Sequence, residues 1–128
     1  MDSTAIVTAL ALIEYVALSI RVGQARGQFG VEAPAITGHP VFERHFRVHQ
    51  NTLEQLIIFI PALWLFAYYV SNRWGALLGL VFIAGRALYA TSYVADPKQR
   101  STGFGMTMVS SLLLLIGGLL GALVHAFK

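Results

Sequence analysis

Apolar residues gather into four blocks, Thr4–Ile20, Leu56–Val70, Trp74–Val94 and Phe104–Phe127, and the polar and helix-breaking residues fall mostly between them. A helix needs ~20 residues to cross a bilayer. The second block offers only 15 in an uninterrupted run. Its helix must therefore begin earlier, in the polar stretch from Phe42 to Gln55, and carry those side chains toward the membrane with it. The pattern predicts an all-α, integral membrane four-helix bundle. It forms a single domain over 1–128, with helices at about 4–24, 42–70, 74–94 and 104–127.

Composition supports that reading. Only 12% of residues are charged, 56% are hydrophobic, and the mean hydropathy is +0.66. Soluble domains carry ~25% charged residues. The first block has an acidic Asp2 ahead of it and no small-residue cleavage site, so it reads as a retained helix. There is no cysteine, so any thiol chemistry must bring its sulfur in as a substrate.

The net charge of +3 does not point to nucleic acid, because the positive residues are distributed as in a membrane protein. Arg21, Arg26, Arg44 and Arg47 flank the first connection, and Lys98 and Arg100 lie in the third. Arg73 alone sits in the second. This positive-inside pattern predicts cytoplasmic first and third connections and both termini outside.

The first connection, Gly27 to Pro40, is rich in breakers. Pro61 should kink the second helix. In the third, Gly75 and Gly79 have the small-xxx-small spacing that suits close helix packing. The fourth helix carries no charge and reads as purely structural.

The chemistry-bearing residues lie on two stripes. Arg47, Asn51 and Glu54, at i, i+4 and i+7, share one face of the second helix, and Arg86, Tyr89 and Tyr93 share one face of the third. Ionisable groups within a membrane are costly and usually mark a site. Counting ~1.5 Å per residue, Glu54 and Arg86 lie at similar depths, so the expectation is that they pair. Glu14, midway along the first helix, is expected to face the bundle and pair with an intramembrane cation. Tyr93 also suits an interface anchor. Arginines hold carboxylates through paired hydrogen bonds, Asn51 can donate and accept, and Glu54 can take an ammonium group. Together these groups suit a small polar ligand with carboxylates and amides. His45 and His49 are spaced as metal ligands on a helix could be, but no third ligand recurs nearby and no metal site is assigned.

The run Phe42-Glu43-Arg44-His45-Phe46-Arg47-Val48-His49-Gln50-Asn51-Thr52-Leu53-Glu54 resembles the signature of the MAPEG family, the membrane-associated proteins in eicosanoid and glutathione metabolism. Gln24-Ala25-Arg26, Gly85-Arg86-Ala87-Leu88-Tyr89 with Tyr93, and Lys98 to Phe104 extend the resemblance over nearly the whole chain.

It implies a homotrimer that binds glutathione between neighbouring subunits. Arg26, Arg47, His49, Asn51, Glu54, Tyr89, Tyr93 and Arg100 fall on glutathione contacts, and Arg100 on the arginine that activates the thiol. The implied activity is transfer of glutathione, as co-substrate, to lipophilic electrophiles on the cytoplasmic side, with reduction of lipid hydroperoxides by the same thiolate. The alternative within the family is a lipid-binding scaffold without catalysis, whose matching loop lacks the activating arginine. A third reading, a structural membrane bundle with Glu54 and Arg86 as a packing pair, leaves the convergence of Asn51, Tyr89 and Arg100 unexplained. Three positions depart from the family pattern. Gly27 stands where the leukotriene-forming members have a second arginine, proposed there as a proton donor. Gln55 replaces a tyrosine, and Pro61 comes one turn later than usual.

Overall fold

The computed structural model describes all residues, Met1–Lys128. Four helices follow one another: α1 Asp2–Phe29, α2 Pro40–Tyr69, α3 Asn72–Ala95 and α4 Ser101–Ala126, with a single 3-10 turn, Pro97–Gln99, between α3 and α4. All four are long and apolar enough to cross a membrane, and the chain is an integral, multi-pass membrane protein.

The helix ends follow from local chemistry. α1 continues past the expected end near Gln24, straight through Gly27. A lone glycine costs a helix only ~1 kcal/mol relative to alanine and does not stop it. The stop comes at Gly30, whose φ of 68° is left-handed, with its N–H and that of Val31 both returning to the Arg26 carbonyl. Glycine is the residue for that position.

α2 opens with Pro40 in its first turn, and the His39 side chain accepts from the Val41 N–H at 3.1 Å. It is helical on both sides of Pro61, which has no N–H to give the Ile57 carbonyl. Ser71 caps α3 by accepting from the Trp74 N–H at 3.1 Å, and Arg44 donates to the Val94 carbonyl in its last turn at 3.1 Å. α4 begins three residues before the expected Phe104. Part of what read as a connection is therefore helix.

α2 and α3 form the centre, and α1 and α4 each pack against both. The core between them holds Phe59 and Phe82, stacked at 3.8 Å between ring centroids, with Val7, Leu63 and Leu114 around them. The Gly75/Gly79 spacing does its expected work. A Cβ on Gly75 would lie 3.2 Å from the Phe66 ring, and one on Gly79 would strike Val7. α3 and α4 approach most closely at Gly85 and Gly103, where a Cβ on Gly103 would overlap the Tyr89 backbone. Ile13, Ile57, Ile116 and Leu120 point outward, as they should where lipid is the solvent.

Candidate functional site: a cationic cavity at one end of the bundle

Near the ends of α2 and α3 that carry the charges, a cavity of about 420 Å³ opens between those helices and the start of α4. Its volume is within the ~300–1,000 Å³ range of small-ligand sites. Arg47 and Asn51 come from consecutive turns of α2, Tyr89 and Tyr93 from α3, and Arg100 from the residue that caps α4. The two tyrosine rings stack at 5.5 Å, and Phe104 lies 6.3 Å from Tyr89. The wall therefore combines guanidinium, amide and aromatic groups from three helices, beside the N-terminus of α4, where unpaired N–H groups favour anions.

Beneath the cavity sits Arg86, fully buried. Its partner is not Glu54. Nη1 donates to Asn51 Oδ1 at 2.7 Å and to Thr52 Oγ1 at 3.3 Å, and Nε donates to Thr107 Oγ1 at 3.1 Å. The guanidinium also lies 4.4 Å from the Tyr89 ring centroid. The reason is angular. Arg86 meets α2 between Asn51 and Thr52, a direction about 110° around the helix from Glu54. Glu54 instead turns outward and meets Arg47 at 3.7 Å, with both side chains more than half exposed.

Glu14 does not make the expected ion pair. It lies within Coulombic reach of Arg86 but lines a separate groove with Arg21, Gln24 and Thr91 on the α1/α3 side.

Of the residues singled out from the sequence, Arg47, Asn51, Tyr89, Tyr93 and Arg100 line this cavity; Glu54 does not, but touches Arg47, which does. Arg26 and His49 lie elsewhere within this chain. Arg26 donates to the Ala35 carbonyl at 2.7 Å and covers the Phe42 ring, and His49 stacks on Tyr15 at 4.6 Å. α4, expected to be purely structural, contributes Ser101, Phe104 and Gly105 to the wall and Thr107 to Arg86. The available signals were the hydroxyls of Thr52 and Thr107. Each donates to the carbonyl four residues back and keeps a lone pair for a buried cation.

Fold and cavity together define a small multi-pass membrane protein with a cationic, donor-lined cavity at one end of its bundle. The chain belongs to the MAPEG family, whose model matches residues 4–120. It is 43% identical over 102 residues to human microsomal glutathione S-transferase 2, covering 79% of this chain and 69% of that protein. It is 32% identical over 119 residues to bovine leukotriene C4 synthase, covering 93% and 79%. An uncharacterised protein of the cyanobacterium Synechocystis is 48% identical over 119 residues, covering 93% and 87%.

Proposed function

We propose that the protein is a membrane-bound glutathione transferase that conjugates glutathione to lipophilic electrophiles. The observation that carries the reading is the convergence of Arg47, Asn51, Tyr89, Tyr93 and Arg100 on one cavity, in a chain related to a microsomal glutathione S-transferase. Arg47 and Asn51 suit the carboxylates and amide carbonyls of the tripeptide, and Glu54 suits its ammonium.

Arg100 would lie beside the sulfur. A free thiol has a pKa of ~8.5, and a neighbouring guanidinium favours the thiolate, which is the nucleophile. The thiol proton passes to solvent, the sulfur lone pair forms a C–S bond to the electrophilic carbon, and the leaving group departs with its bonding electrons. With a lipid hydroperoxide, two glutathiones supply the two electrons that give the alcohol and water, and leave as the disulfide.

The same proposal includes assembly and orientation. More than half of the Arg47 and Glu54 side chains is exposed in the single chain, a costly arrangement against lipid. A homotrimer would cover them and bring a neighbour's Arg26 and His49 to each site. The positive-inside distribution of the arginines and lysines supports a cytoplasmic cavity.

The test is to mix purified protein with glutathione and chlorodinitrobenzene. Glutathione-dependent chloride release and thioether formation are expected. Binding of glutathione without any conjugation would favour the scaffold alternative, and absence of binding would overturn the reading.

A further inference from the structure

We infer that Arg86 is a positioning residue that fixes which end of the Asn51 amide faces the cavity, and so adds an oriented donor to the cavity wall. A guanidinium carries five N–H donors and no acceptor. The Asn51 atom 2.7 Å from Arg86 Nη1 must therefore be the carbonyl oxygen. That leaves the Asn51 NH₂ as the end presented to the cavity that Asn51 lines.

The Arg86 guanidinium is itself held. Thr52 and Thr107 commit their own hydrogens to Val48 and Gly103 carbonyls at 2.8 and 3.0 Å, so each can only accept from Arg86. Acceptors on α2 and α4, with the Tyr89 ring at 4.4 Å, hold this planar fork through Nε and Nη1, while Nη2 is buried without a partner. It does not itself line the cavity and acts through Asn51 and Tyr89, which do. Beside that amide the wall carries the Arg47 and Arg100 guanidinium groups, which only donate, and the hydroxyls of Tyr89, Tyr93 and Ser101, which donate or accept. An oriented amide donor beside two arginines suits a ligand's carboxylate and carbonyl oxygens and leaves Glu54 for its ammonium; glutathione carries both, in the reading above on which this inference rests.

Two variants separate positioning from folding. Arg86→Lys keeps the charge but replaces the planar fork with a shorter point donor that cannot hold Asn51, Thr52 and Thr107 together, so the Asn51 amide loses its fixed partner. Glutathione KM is expected to rise about tenfold, as for one lost oriented hydrogen bond, with kcat within about twofold of wild type, since Arg100 is untouched. Asn51→Asp is the isosteric control. Its carboxylate keeps the bond to Arg86 as a charge-assisted one, so the melting temperature should hold or rise. Its second oxygen would face the ligand's own oxygens, and titration calorimetry should show glutathione affinity falling by at least about tenfold.

Wild-type glutathione affinity in a folded Asn51→Asp protein, or wild-type KM in a folded Arg86→Lys protein, would overturn the positioning role. If Arg86→Lys does not fold, Asn51→Asp decides alone. A wild-type protein that binds no glutathione would instead sink the transferase reading.

Discussion

Gly103→Ala is the sharpest test of how the cavity is built, because it adds one methyl group where two helices meet backbone to backbone. The new Cβ would lie 2.8 Å from the Gly85 carbonyl oxygen and nearer still to the Tyr89 backbone, whereas ordinary contacts begin near 3.4 Å. No side chain can rotate away, so α3 and α4 must part by roughly half an ångström or more, and overpacking of this kind costs ~1–3 kcal/mol.

The same displacement pulls on the Thr107 hydroxyl, now 3.1 Å from Arg86 Nε. A hydrogen bond of that type within a membrane is worth ~0.6–1.7 kcal/mol. Together these terms predict a loss of about 2–5 kcal/mol. In detergent this should appear as a melting temperature lowered by ~8–20 °C, taking ~4 °C per kcal/mol for a domain of this size, together with weaker glutathione binding. Gly23→Ala is the control. Its Cβ would meet nothing within 4 Å, and a helical Gly→Ala change should stabilise by up to ~1 kcal/mol. A Gly103→Ala protein that melts and binds like wild type would show that the α3–α4 contact does not shape the site.

Arg100→Ala should lower the ultraviolet thiolate signal of bound glutathione. An exposed guanidinium ~4 Å from sulfur contributes ~1–4 kcal/mol, or ~1–3 pKa units, so turnover at pH 7 should fall tenfold or more, and raising the pH should restore it by ionising the thiol unaided. Unchanged turnover at pH 7 would leave Arg100 as a topology charge. Glu54→Gln should cost little stability, because its contact with Arg47 is long at 3.7 Å and Arg86 is bonded to Asn51, Thr52 and Thr107 without it, yet weaken glutathione binding about tenfold through the ligand's ammonium group. A large drop in melting temperature would contradict the outward geometry. Thr37→Cys, in a chain with no other cysteine, should react with an impermeant maleimide only after cell lysis, and labelling of intact cells would invert the topology.

The four helices and four of the cavity's residues, Arg47, Asn51, Tyr89 and Tyr93, could be read from spacing along single helices, and Arg100 from the family resemblance of the connection around it. The partner of Arg86 could not. Opposite charge and equal depth made Glu54 the natural choice, but depth says nothing about which way a side chain points. The angular offset between Glu54 and the Asn51–Thr52 face of α2 decided the matter. Neutral oxygens at Asn51, Thr52 and Thr107 carry no charge to attract notice. Gly103 was hidden for a related reason: it lies beside Arg100 in a stretch that read as a connection, and its packing role depends on a partner 18 positions back, Gly85. Arg26 and His49 lie on the α1/α2 flank, against Ala35, Phe42 and Tyr15 and away from the cavity.

α2 is a single helix of 30 residues, about 45 Å long at 1.5 Å per residue, against a hydrocarbon thickness of ~30 Å. Arg47 and Asn51 lie ~10–17 Å from its start, at the boundary between the aqueous and oily phases. A transferase working there draws its two reactants from different solvents. Glutathione arrives at its bulk aqueous concentration, whereas a lipophilic partner arrives at whatever mole fraction it holds in the surrounding lipid. Adding phospholipid at constant total electrophile should therefore slow the reaction by surface dilution and leave the affinity for glutathione untouched.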